Sequence, residues 1–496
     1  MKLDPRPVQS RDGLEYLAFS LLAAILLFAP LIKGGNRPLP LLTLELAAVL
    51  LLAYPLMRPL FLQRLSAGLL LGLALLMLLP LLQLLPIPFS VWQTLPGRDV
   101  YAEALAAFGT PADTHPLTLL PKATEDAWLA LLPPLAVFLV TVSLRETALR
   151  KCVYLFIAMA TAQAIYALVQ FGGGATTTFR TSLNDIGMGV GTYVNRNHLA
   201  GLLAMALPLS LGLLASRVGQ GGGKLQYRSK GLFRRLAGGL NPSRINQTLI
   251  FSAVSIVILL GAIFSRSRSG ITLAMLGIFL TAILYGFRIG GRRSTNLVTV
   301  FSVIGLALAV EVGLAPVLER FSEDITLADS RWTIFGSSIT ALRQFFPFGS
   351  GLGTFPEVYR RFQPDDIDYF VNHAHNDYIE YLFEGGVLAA VVVLLFLVGY
   401  ARAWPRLLRL PRWGTLSFMQ AGAGIGLLLM ALHGLTDYNW HIPANAIYFA
   451  LMAGVFFHRG ETPREHAAPA HQAGTQAPPP SLPVVQPRAQ KNPFAD

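Results

Sequence analysis

The sequence predicts an all-α polytopic membrane protein with about twelve transmembrane helices. Three observations point there. Of 496 residues, 53% are hydrophobic and only 13% charged, more apolar side chain than a water-facing surface of ordinary size can carry. Runs of roughly 17 to 25 apolar residues recur from one end to the other, each long enough as a helix to cross about 30 Å of hydrocarbon. Lysine and arginine are confined largely to every second loop, as the positive-inside rule requires of a multi-pass chain.

Taken in order, the spans are 15–33, 39–57, 65–85, 127–143, 152–171, 198–216, 248–264, 270–287, 297–317, 378–400, 416–433 and 442–457. The apolar run of the first exceeds that of a signal peptide and no small-residue cleavage site follows it, so it reads as a retained anchor. Cys152, the only cysteine, falls inside the fifth span, leaving the outer loops without disulfides or thiolate metal sites. If the N-terminus is cytoplasmic, the loops after spans two, four, six, eight and ten carry nineteen Lys or Arg against one acid. The richest follows span six, with Arg217, Lys224, Arg228, Lys230, Arg234, Arg235 and Arg244, a topology signal that touches anionic lipid. The net charge of +12 thus lies beside spans, without the aromatic-interleaved stripe of a nucleic-acid binder, and no nucleic-acid partner is expected. Residues 1–460 form the membrane unit. Residues 461–496 turn to Ala, Pro and Gln and are expected to be a disordered cytoplasmic tail.

The same frame places 86–126, 172–197 and 318–377 outside. The last, between spans nine and ten, is too long for a mere connector and is the expected catalytic loop. Two arginines break the charge rule: Arg266 and Arg268, in the outer turn Ser265-Arg266-Ser267-Arg268-Ser269-Gly270. They either snorkel to lipid headgroups or hold an anionic ligand, for which guanidinium is well shaped and phosphate or pyrophosphate the natural candidate. Arg196 lies just before span six, where a helix N-terminus adds its positive dipole end. It either completes an anion clamp or sits at the interface beside a capping Asn197.

Polar residues concentrate in Asn372-His373-Ala374-His375-Asn376-Asp377-Tyr378, running into span ten. His373 and His375 have three readings: a catalytic base with an orienting neighbour, interfacial hydrogen bonding, or a metal half-site completed by Asp365, Asp366 or Asp368. No recognised ligand spacing completes the metal set. A neutral imidazole is what a base must be, and a helix N-terminus favours the neutral form. The turn Gly349-Ser350-Gly351-Leu352-Gly353 lacks the strand-to-helix setting of a nucleotide loop and reads as a hinge. His433, Asp437, Tyr438, Asn439 and His441 flank the outer turn between the last two spans and either line the same cavity or pack at the interface. Transport would want charges near mid-bilayer, where Glu45 and Glu311 are the nearest cases, and no internal repeat of fixed period supports it.

His375-Asn376-Asp377-Tyr378, an apolar helix with Glu384-Gly385-Gly386, and the preceding Gly349–Gly353 and Ser267–Gly270 strings together resemble the O-antigen ligase and polymerase superfamily, most clearly over 193–445. In the ligase pattern a His-Asn pair is followed after nine residues by glycine and, three places on, a small or polar residue; Gly386 fits and Ala389 takes the last position. The resemblance implies a metal-independent, inverting glycosyltransferase of the bacterial inner membrane that needs no cofactor and faces the periplasm. Its donor would be a glycan on undecaprenyl pyrophosphate, and its acceptor lipid A core, or a growing glycan in a polymerase. By that similarity His375 is the base and Arg196 and Arg268 hold the pyrophosphate with Arg266 as helper; His373 and Asn376 are further candidate substrate-binding residues.

Overall fold

In hydrocarbon every backbone N–H and C=O must be satisfied within the protein, so leucine-rich runs of this length become helices. The computed structural model describes residues 8–57, 65–109, 112–173, 188–219, 242–289 and 325–460. Within them, α1 (Val8–Phe28), α2 (Pro38–Leu56) and α3 (Ala67–Gln83) are followed by α4 (Asp99–Ala107), α5 (Pro121–Ala130), α6 (Leu132–Ser143) and α7 (Glu146–Gly172). Then come α8 (Arg196–Gly219), α9 (Pro242–Phe264), α10 (Arg268–Ile289), α11 (Ile325–Phe345), α12 (Asp377–Leu408), α13 (Thr415–His433) and α14 (Pro443–Phe457). Among the described residues eight helices, counting α5 and α6 as one, are long and apolar enough to cross a membrane, and Gly13–Phe28, Ala67–Gln83 and Pro443–Phe457 are shorter apolar helices. Each of these coincides with an expected span. The expected span 297–317, with Glu311, most of the basic loop after span six, and the tail lie outside the described residues.

The chain packs around α8, whose apolar window is entirely buried and which meets α13, α9, α10 and α7. Close approach needs small residues: a Cβ on Gly422 of α13 would stand 2.6 Å from the Pro208 carbonyl oxygen of α8. Cys152 is buried in α7 as a free thiol.

Two of the three long segments expected outside differ from the loops expected of them. Segment 86–126 contains a small antiparallel sheet, β1 (Pro86–Pro88) with β2 (Thr114–Pro116), Ile87 opposite His115, a local departure from an all-α chain. Segment 318–377 contains the helix α11, and beyond it a cap with its own apolar core. Phe345 and Phe355 meet Phe383 of α12 edge-on at 5.4 and 5.3 Å, while Phe355 stacks on Tyr359 at 4.8 Å.

The glycine turn is a clip rather than a hinge. α12 breaks at Gly386 (φ 56°, ψ −141°), and the backbone groups released there are taken up by the turn: Ser350 and Gly351 N–H donate to the Phe383 and Glu384 carbonyls at 3.0 Å each, and Val387 N–H to the Pro347 carbonyl at 2.9 Å. Leu352 N–H donates to Gln83 Oε1 at 2.9 Å. Those amides are therefore spent on the protein. Arg98, fully buried, locks segments 86–126 and 318–377 together by donating from Nη2 to the carbonyls of Leu117 and Gly349 at 2.8 Å each. Burial lowers its guanidinium to about 10.

Candidate active site

α12 starts beside the aromatic cap because Asn376 caps it: Oδ1 accepts from Tyr378 N–H at 3.0 Å and Ile379 N–H at 3.1 Å, and Nδ2 donates to the Leu435 carbonyl at 2.9 Å. Asn376 thus ties the histidine segment to the turn between α13 and α14. Val371 and Ala374 are buried in the cap core. They anchor the segment and leave His373 and His375 partly exposed at its surface.

His375 adopts φ +51°, a left-handed conformation uncommon for a residue with a side chain, and this turns its ring toward the last turn. Its Nδ1 lies 3.4 Å from Oδ1 of Asp437, whose side chain is buried. A carboxylate there assigns the proton to Nδ1 and leaves the Nε2 lone pair free. Asp437 also accepts from Asn197 Nδ2 at 2.6 Å and from Tyr438 N–H at 3.0 Å. Burial is the largest single influence and opposes its charge, but the His375 hydrogen bond and the nearby His198, His375 and Arg331 together outweigh it and hold the carboxyl far below its usual range. Arg331, on α11, donates from Nη1 to the Thr436 carbonyl at 3.3 Å.

His373 repeats the arrangement with a shorter contact, its Nδ1 2.8 Å from Glu380 Oε1, while Glu380 Oε2 accepts from Ala374 N–H at 2.8 Å. Tyr438 joins the two dyads: His373 stacks on its ring at 4.1 Å and His375 meets it edge-on at 5.1 Å. Burial lifts the Tyr438 hydroxyl to about 12, so it stays protonated.

Behind them His441 bridges two carboxylates, Nδ1 at 3.0 Å from Asp377 Oδ1 and Nε2 at 3.3 Å from Glu380 Oε1. Burial opposes its charge; Glu380 and Asp377 outweigh burial and raise the imidazole to about 10, so it is an imidazolium near neutrality. His373, Glu380 and His441 are also a described group whose potential ligand atoms lie within 4.8 Å of one another. With both His441 nitrogens facing carboxylates, the set reads better as a hydrogen-bonded chain of charges than as open metal ligands. Asp365, Asp366 and Asp368 are exposed and stand outside that group.

The arginines arrive at helix starts. Arg196 opens α8 with Nη1 3.0 Å from Met188 Sδ. Asn195 Oδ1 accepts from Asn197 N–H at 2.9 Å, so Asn195 makes the cap and Asn197 is free to reach Asp437. Arg268 opens α10, and the next residue, Ser269, pairs its Oγ with Nε2 of His433 at 2.9 Å. The neighbour of Arg196 thus contacts Asp437 itself, and the neighbour of Arg268 contacts the last residue of α13, from which the turn that carries Asp437 starts. Arg266 differs: at φ +55° it lies over the Phe171 ring, 5.3 Å from the centroid. Sequence reasoning missed Glu380 and Arg331 and gave Asp437 no specific partner. Asp437 is 62 residues from His375, a separation that carries no periodic signal.

A family model described as O-antigen ligase matches residues 253–394. The matched stretch includes Arg266, Arg268, His373, His375, Asn376 and Gly386 and stops before Asp437. No curated protein matches the chain.

Proposed function

We propose that the chain, whose segment 253–394 resembles O-antigen ligases, is an inverting glycosyltransferase of the bacterial inner membrane. It moves a glycan from undecaprenyl pyrophosphate to lipid A core at the periplasmic face. The observation that carries this reading is the orientation of His375: Nδ1 is directed at the buried Asp437, and Nε2 is left as the proton acceptor.

In this mechanism the acceptor hydroxyl attacks the anomeric carbon in line with the departing lipid pyrophosphate. Its proton passes to His375 Nε2 as the new glycosidic bond forms and the bond to phosphate breaks. Negative charge grows on the leaving pyrophosphate, where Arg196 and Arg268, with Arg266 as helper, stabilise it more in the transition state than in the ground state. The donor carries the driving energy, so the reaction needs neither metal nor cofactor. His373 holds the acceptor or donor sugar from the other side of Tyr438, and Asn376 fixes the edge of the site.

A second reading makes His373 the base, favoured by its shorter contact to Glu380. The decisive assay is transfer by purified protein, with lipid-linked donor, EDTA present, and either lipid A core or a second donor molecule as acceptor. Product on lipid A core with EDTA, abolished in His375→Ala, supports the ligase; longer lipid-linked chains identify a polymerase. Solute flux in proteoliposomes without transfer would overturn both.

A further inference from the structure

At the end of α12 opposite the histidines, about 40 Å along the helix from Asp377, a cavity of about 290 Å³ opens between α3, α12 and the end of α14. Arg402 and Arg406 of α12 and Arg459, just after α14, line it. Among the described residues none of the three makes an ion pair or hydrogen bond, so three guanidiniums converge on one cavity without a counter-charge. Partial burial and then the Arg406 charge hold the Arg459 guanidinium below its ordinary value, as expected of an unneutralised cluster. The floor is the N-terminus of α3, capped by Ser66, whose Oγ accepts from Leu69 N–H; it adds its positive dipole end. The walls are apolar, formed by Leu69, Leu395 and Phe457. The space beside Gly68 and Gly399 is open, since a Cβ on either would meet nothing within 4 Å.

We propose that this cavity is a binding site for the phosphodiester headgroup of an anionic phospholipid, at the membrane face opposite the catalytic cluster. Guanidinium geometry suits phosphate oxygens. The cavity is too small for a whole lipid but fits a headgroup. Its counter-charge comes from the bilayer rather than from a protein carboxylate.

Native mass spectrometry of the full-length protein in mild detergent, titrated with phosphatidylglycerol or phosphatidylcholine, tests this. Wild type should retain phosphatidylglycerol in preference to phosphatidylcholine, undisturbed by excess inorganic phosphate. Replacing all three arginines by Gln (R402Q/R406Q/R459Q) removes about three membrane-proximal charges and should weaken retention on the order of 100-fold. Gly399→Phe leaves every charge and the topology signal intact but fills the cavity, and should weaken retention comparably. Equal binding of the two lipids, or wild-type retention by Gly399→Phe, would overturn the site. Displacement by inorganic phosphate would assign the cavity to a free anion and overturn the lipid reading.

Discussion

Asp437→Asn isolates the geometric claim on which the proposed base rests. The substitution keeps size and shape and removes charge. The native carboxylate accepts from His375 Nδ1 at 3.4 Å on Oδ1 and from Asn197 Nδ2 at 2.6 Å on Oδ2. A carboxamide accepts on one side only, so in either orientation an NH₂ group faces a donor. If it faces His375, the Nδ1 proton loses its acceptor, the ring can place its proton on Nε2, and the base is consumed. A hydrogen bond to a charged group contributes roughly 1.5 to 3 kcal/mol. At about 1.36 kcal/mol per decade of rate, losing that interaction in the transition state lowers kcat roughly 10- to 150-fold, with KM for the lipid-linked donor nearly unchanged. His375→Ala removes the base itself and should cost about 10² to 10⁴-fold. The assay is transfer of lipid-linked glycan in vitro at matched amounts of protein that unfold cooperatively in a thermal scan. Activity of Asp437→Asn within twofold of wild type would refute the reasoning, and a larger loss in Glu380→Gln than in Asp437→Asn would move the base to His373.

Gly386→Ala should strongly destabilise the protein, because its Cβ would lie 2.0 Å from the Pro347 carbonyl oxygen in a backbone conformation that favours glycine. Strain and overpacking together cost about 2 to 6 kcal/mol, measurable as a large fall in Tm or loss of folded yield. His441 has a raised pKa in the fold, so its stabilising contribution is complete below the unfolded value near 6.5 and is lost as pH rises through about 10. Tm should therefore fall between pH 7 and 10 in wild type and fall less over that range in His441→Gln. Arg98→Gln leaves the Leu117 and Gly349 carbonyls without their charged donor; limited proteolysis of the outer segments should quicken while α8 and α13 stay protected. Transfer activity should survive EDTA and show no gain from added divalent cations; activity restored only by metal would turn the His373, Glu380 and His441 group into a ligand set.

Much was legible without coordinates because the bilayer imposes a one-dimensional rule. A run of apolar residues about 20 long has one stable answer in hydrocarbon, so helices fall where hydropathy places them, and Arg196, Arg268, His373 and His375 stand out as polar groups at span boundaries. The capping role of Asn376 was not drawn from its position, although the Asn at the start of an apolar helix is a local signal.

What only the tertiary structure decided is pairing across chain distance. The Asp437 partner of His375, the His441 bridge between Asp377 and Glu380, and the approach of Arg331 to the final turn depend on how α8, α11, α12 and α13 pack. Hydropathy sets where each helix lies along its own axis and leaves its rotation and neighbours open, because lipid accepts any apolar face equally. Those choices are made by side-chain packing and by the need to satisfy buried charges, terms that act between segments distant in sequence. The glycine turn shows the same limit: Gly349–Gly353 looks flexible as a string, and becomes a rigid clip only because the break at Gly386 releases carbonyls and an amide that need those partners.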